Sequence, residues 1–178
     1  LEKCITTNGL LLKEQASLLR DYGIKVNVSL DSLNESNFRI ITGVSDLKSI
    51  IKGIDILCLY NVPIKINTVI LKEINENEIE NLILFAGERN CPIRFIEFMP
   101  LNGSDNHRKF FLSEKEIIKK LGGEDNLQYL YTMGTTRYYR YKMDTVVGFI
   151  SSISSHFCKS CSRIRITSDG RIVTCLFE

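Results

Sequence analysis

Hydrophobic periodicity in the first half of the chain constrains the fold more than any other feature. Period 2 marks short runs at 25–30, 64–70 and 93–99, where Val26, Val28, Ile64 and Ile66 interleave with polar residues. Period 3.6 marks the stretches between them. Leu12, Ala16 and Leu19 share a face over 10–22, and Leu47, Ile50, Ile54 and Leu57 share one over 45–59. Ile79, Leu82, Ile83 and Ala86 do the same over 76–89. The run 3–6 reads as the end of a further strand, with Asn8 and Gly9 marking the turn out of it. Gly23 suits the stop of the first helix. Strands and helices alternating at this spacing call for parallel strands joined by crossover helices, so the fold class is α/β. Four such strands cannot close a barrel. They form an open doubly wound sheet or part of a barrel, and in both architectures ligands gather at the C-terminal strand ends.

The second half has a different pattern. Ser113 and Glu116 have the spacing of a capping box, opening a short helix that stops at Gly122 and Gly123. Two polar–aromatic runs, 136–142 and 146–153, read as an antiparallel pair joined near Asp144. The runs 163–167 and 171–174 flank Ser168, Asp169 and Gly170, a sequence suited to a hairpin turn. The halves meet near 100–106, giving segments 1–103 and 104–178. No internal repeat or low-complexity tract interrupts them.

Charge excludes two classes of partner. Lys and Arg total 23 against 21 Asp and Glu, a net charge of +2. Bulk electrostatics therefore favour neither nucleic acid nor an anionic membrane, and any anion affinity must come from a local cluster. No apolar run approaches the roughly 18 residues of a membrane span. No signal-peptide pattern is present, and a cytoplasmic location is expected. The opening LEKCITT lacks an initiator Met and CLFE stops abruptly, so the chain is expected to be part of a longer one.

Six cysteines are present. Cys4, Cys58 and Cys91 sit in apolar stretches and read as small buried hydrophobes. Cys158 and Cys161 form C-x2-C, and a hairpin between Cys161 and Cys175 can fold the third sulfur back beside them. Three thiolates can hold a 4Fe–4S cluster and leave one iron open to a substrate. With His156 as fourth ligand, the same set suits zinc. Spacing alone leaves cluster, zinc and non-metal readings open. Arg163 and Arg165 alternate with Ile164 and Ile166, so on a strand both guanidinium groups share one face. Two such forks beside a metal suit a phosphate-bearing ligand, although a solvated strand face is the commoner fate of arginine.

The run FCKSCSRIRITSDGRIVTCLF resembles the C-terminal motif of the GTP 3′,8-cyclase family of radical S-adenosylmethionine (SAM) enzymes. Its elements are C-x2-C, Arg-x-Arg, a DG turn and a third cysteine before Leu-Phe. TTNGLLL, VNVSLDSL, IKINTVI and IRFIEFMP resemble further segments of that family, in order. The resemblance implies an incomplete (β/α) barrel of about four parallel units, followed by a C-terminal segment with hairpins that covers its mouth. It implies conversion of GTP into its 3′,8-cyclo form, the first step of molybdenum cofactor biosynthesis. There, SAM on an N-terminal 4Fe–4S cluster gives a radical that takes hydrogen from the ribose 3′ carbon, and that carbon then joins C8 of the purine.

By position, the resemblance places Cys158, Cys161 and Cys175 on a second 4Fe–4S cluster. It places Thr6, Lys65, Arg163, Ile164 and Arg165 around GTP, and Ser29 and Met99 against SAM. Arg94 is a further basic candidate. Read without the family, Thr6 and Ser29 are ordinary satisfied hydroxyls, Met99 fills a core, and Lys65 is an edge lysine or a phosphate ligand. The resemblance also implies an electron donor as partner and leaves a homodimer open. The first cluster's C-x3-C-x2-C motif is absent from these residues. Alone they are expected to be inactive. The competing readings are another radical SAM enzyme with an auxiliary cluster, or a zinc-stabilised binding module.

Overall fold

A computed structural model describes residues 2–99, 107–155 and 163–175. Nine strands and six α-helices follow one another as β1 (Cys4–Thr7), α1 (Leu12–Asp21), β2 (Lys25–Ser29), α2 (Glu35–Thr42), α3 (Leu47–Leu59), β3 (Ile64–Ile70), α4 (Ile79–Glu88), β4 (Ile93–Glu97), α5 (His107–Phe110), α6 (Glu114–Lys120), β5 (Gln128–Met133), β6 (Thr136–Arg140), β7 (Val146–Ile150), β8 (Arg165–Ile166) and β9 (Ile172–Val173) among the described residues.

Seven strands form one sheet in the order β1-β2-β3-β4-β7-β6-β5. The first four are parallel and lie in chain order. A doubly wound sheet reverses its order at a switch point, and no reversal occurs here. Crossovers that step one way with one hand deliver their helices to one face. The buried residues of α1, α3 and α4 accordingly join a single core with Val26, Val28, Ile64, Ile66, Ile93 and Phe95. In β3 the burial alternates residue by residue, with the isoleucines and Thr68 buried and Lys65, Asn67 and Val69 half-buried.

The second half extends this sheet. β7 pairs with β4 in parallel, while β6 pairs with β7 and β5 with β6 antiparallel. β8 and β9 form a separate two-stranded antiparallel ribbon. Ser113 and Glu116 form the reciprocal capping box at the start of α6.

Close packing of α1 on α3 depends on Gly53. A Cβ there would sit 2.8 Å from Leu12 Cβ. The helix α2, which the hydrophobic pattern does not reveal, is held mainly by polar contacts. Asn34 caps it by accepting from the N–H groups of Ser36 and Asn37. Glu78 accepts from Leu33 N–H at 2.8 Å and from the Ser32 hydroxyl at the same approach. Phe38 is its buried anchor. No helix among the described residues is long and apolar enough to cross a membrane.

Candidate functional site

The sheet face turned away from the helices carries the polar residues of the parallel strands. Strand register sets Thr6 opposite Asn27 and Asn27 opposite Lys65. One step toward the C-terminal ends, Asn67 lies between Ser29 and Arg94. Residues two apart on a strand point the same way, so these side chains share one surface.

A hydrogen-bonded chain crosses that surface. Arg94 donates from Nη2 to Asn27 Oδ1 at 2.8 Å and from Nε to Asn67 Oδ1 at 2.7 Å. With its oxygen committed to arginine, Asn27 turns its amide nitrogen to Thr6 Oγ1 at 3.3 Å and Cys4 Sγ at 3.2 Å. The guanidinium is thus fixed across three strands before any ligand arrives. Gly148 lies opposite Arg94 on β7. A Cβ there would come within 3.1 Å of Arg94 Cγ and 3.0 Å of Tyr138 Cε1, so glycine leaves both side chains room to lie across it.

Lys65 Nζ stands 5.7 Å from the centroid of the Tyr138 ring, a favourable cation–π approach. Neither Lys65 nor Arg94 forms a salt bridge among the described residues; Glu2, which pairs with Lys25, feels the charge of Lys65 only at longer range. Two half-buried cations on one face are costly together, and an anion placed between them offsets that cost.

A second feature lies at the C-terminal strand ends. Asp31, Val69, Ile96, Phe98 and Met99, with Ile40 and Ile41 of α2, line a cleft of about 650 Å³. Small-molecule pockets commonly measure about 300–1,000 Å³. Asp31 accepts from Val69 N–H at 2.8 Å, but burial outweighs this bond and holds its carboxyl above the ordinary carboxylate range.

Glu97, which ends β4 and also borders this cleft, is only 3% exposed. It accepts from the backbone N–H of Glu114 at 3.0 Å and from those of Ile153 and Ser154 at 2.8 Å each. Buried Glu114 takes the Arg137 guanidinium and the Ser151 hydroxyl. These carboxylates tie the start of α6 to the segment after β7, which leads toward Cys158.

The residues singled out by sequence are placed as follows. Thr6 is exposed on the edge strand, and Ser29 and Lys65 are half-buried on the polar face. Met99 is half-buried in the cleft. Arg163 is exposed and donates from Nη2 to Thr135 Oγ1 at 2.8 Å, in the turn between β5 and β6. Ile164 is exposed, Arg165 is half-buried at the start of β8, and Cys175 is half-buried just beyond β9. Cys158, Cys161 and His156 lie outside the described residues. Sequence reasoning paired Lys65 with Asn67 but missed Asn27 and Tyr138. Asn27 alternates visibly with Val26 and Val28, yet only the register reveals that it touches Arg94.

Two family descriptions divide the chain between them. Residues 1–86 match the Radical SAM superfamily, and residues 91–178 match Molybdenum Cofactor Synthesis C. The chain belongs to the radical SAM superfamily, in the group whose second part is this molybdenum cofactor synthesis region.

Individual relatives sharpen the likeness. The chain is 40% identical to the GTP 3′,8-cyclase of Alkaliphilus metalliredigens, over 97% of this chain and 55% of that protein. It is 39% identical to that of Thermodesulfovibrio yellowstonii, over 98% and 56%. The molybdenum cofactor biosynthesis protein moc-5 of Caenorhabditis elegans is 38% identical, over 97% of this chain and 30% of its own. The chain thus spans about half the length of each of these two cyclases. Among solved structures, anSMEcpe with bound AdoMet and a Cp18Cys peptide shares the fold. Its TM-score is 0.52 at 17% identity, over 68% of this chain and 36% of that one.

Proposed function

We propose that this chain supplies the substrate-binding side of a GTP 3′,8-cyclase, which converts GTP to (8S)-3′,8-cyclo-7,8-dihydroguanosine 5′-triphosphate in molybdenum cofactor biosynthesis. The observation that carries the proposal is the pair of cations, Lys65 and Arg94, on one polar sheet face, with Arg94 held by Asn27 and Asn67. A triphosphate matches them in charge, and prefixed donors bind it without first having to be ordered.

In this reading the sheet is an arc of a (β/α) barrel. Its unreversed strand order, helices on one side and polar residues on the other support that view. Residues 1–103 contribute the β/α units and residues 104–178 the covering segment. Thr6 offers its hydroxyl to GTP. Arg163 and Arg165, with the backbone at Ile164, approach it from the second segment.

Ser29 and Met99 contact SAM. The cleft that holds Met99 has the volume of a small-molecule site and a half-buried carboxyl, Asp31, at its polar end. Bound SAM supplies the radical chemistry. Cys175 follows the tight β8–β9 ribbon, and a fold-back of this kind supports the reading that a third thiolate joins the C-x2-C pair. With Cys158 and Cys161 it would hold a 4Fe–4S cluster, which supplies an iron open to the guanine. The 178 residues contain no C-x3-C-x2-C run. Turnover therefore draws on residues beyond them and on an electron donor.

GTP titration of the full-length, cluster-loaded protein tests this reading, with Lys65→Met as the comparison. Loss of one charge-assisted bond weakens GTP binding roughly tenfold or more, while guanosine, which has no phosphate, binds both proteins alike. Equal GTP affinity in parent and variant contradicts the reading.

A further inference from the structure

Tyr138 has an unusual environment for a buried tyrosine. It is 1% exposed, and its hydroxyl oxygen is buried with no hydrogen-bond partner among the described residues. Buried tyrosine hydroxyls are normally paired, because an unpaired one forfeits its bonds to water. Burial of the ring alone does not call for the hydroxyl, since phenylalanine would fill the same space without that cost.

The ring's position shows where the hydroxyl lies. Tyr138 is opposite Gly148, which is opposite Arg94. The ring atom Cε1, next to the carbon that bears the hydroxyl, lies above Gly148, on the side where Arg94 Cγ also lies. The ring is therefore laid across β7 toward β4, with its polar end leading. Lys65 Nζ stands 5.7 Å from the ring centroid, and Tyr131 packs against the ring at 5.0 Å between centroids. Held between Gly148 and Tyr131, the phenol cannot swing away to find another partner.

We infer that Tyr138 is a further binding residue of this site, its hydroxyl donating a hydrogen bond to a phosphate oxygen of the nucleoside triphosphate held by Lys65 and Arg94. The inference rests on the anion-binding reading of the polar face. Of the side chains converging there, the Lys65 ammonium and the Arg94 guanidinium can only donate, and the phenol can donate as well; Asn27 and Asn67 take two of the guanidinium's N–H groups. An oxygen-rich anion supplies acceptors for the donors that remain, the Tyr138 hydroxyl among them. A fixed phenol also favours the triphosphate without an ordering cost on binding.

Tyr138→Phe tests this, because it keeps the ring, the packing on Gly148 and the contact with Lys65. GTP and guanosine binding are measured by calorimetry on the full-length, cluster-loaded protein, beside Lys65→Met and with melting temperatures. The expected result is GTP affinity reduced about tenfold, guanosine affinity unchanged, and a melting temperature no lower than the parent's. Unchanged GTP affinity with a raised melting temperature overturns the inference and makes the hydroxyl a purely structural defect. Equal losses for GTP and guanosine also overturn it, since the phosphate is then not the partner. If Lys65→Met leaves GTP binding intact, the anion-binding reading fails first and the inference with it. If Lys65→Met weakens binding and Tyr138→Phe does not, the inference alone fails.

Discussion

Glu97 accepts a 2.8 Å hydrogen bond from the backbone N–H of Ile153, joining the end of the fourth parallel strand to the segment that follows β7. The same carboxylate accepts from Ser154 and Glu114. Glu97→Gln replaces one accepting oxygen with an amide that meets N–H donors head on. Loss of hydrogen bonds to a buried charge should destabilise the fold by about 2–4 kcal/mol. Urea denaturation reads this directly, and an unchanged midpoint would show that the carboxylate is dispensable.

Gly53→Ala sets two effects against each other. Alanine in a helix gains about 0.5–1 kcal/mol over glycine. The new methyl, however, would sit 2.8 Å from Leu12 Cβ, so α1 and α3 must separate. Overpacking of this kind costs about 1–3 kcal/mol, so the variant should be net destabilised. A melting temperature above the parent's would show that α1 yields easily.

Cys91 lies with its sulfur 3.8 Å from that of Cys58. Burial, and then the neighbouring thiol, push its pKa up to about 12. The raised value favours the protonated thiol in the fold. Its contribution to stability is therefore complete below the unfolded thiol's pKa, and is lost as pH rises through the folded value. Only the thiolate reacts with alkylating reagents. At pH 8 Cys91 should be modified far more slowly in the native protein than in urea, as peptide mass mapping can show. Equal rates would place the thiol in water.

Arg165→Ala should weaken GTP binding by about 1.5–3 kcal/mol in the full-length protein, the scale of a charge-assisted bond. Calorimetry gives the number. An unchanged dissociation constant would remove Arg165 from the site and leave the anion to Lys65 and Arg94.

Much of the parallel sheet could be read from sequence because burial there is one-sided. In β3, alternate isoleucines meet the helices while Lys65 and Asn67 do not, so period 2 is visible in the residues themselves. Helices α1, α3 and α4 each bury a stripe, which gives period 3.6. Helix α2 escaped because Phe38 is its one buried side chain and its N-terminus is held by Glu78, more than forty positions along the chain. Strand β5 escaped for a related reason: it is exposed along most of its length and so shows no alternation. The parallel pairing of β4 with β7 joins residues far apart in sequence, and local pattern is silent on it. The same holds for the site. Lys65 and Asn67 share a visible face, whereas the grip of Asn27 on Arg94 depends on register across three strands.

The most direct test of the central claim is iron and sulfide content after anaerobic reconstitution of this chain, with Cys175→Ser alongside. The account predicts about four irons and about four sulfides per chain, falling sharply in the variant while the sheet stays folded. One zinc without sulfide, or equal iron in both proteins, would contradict it.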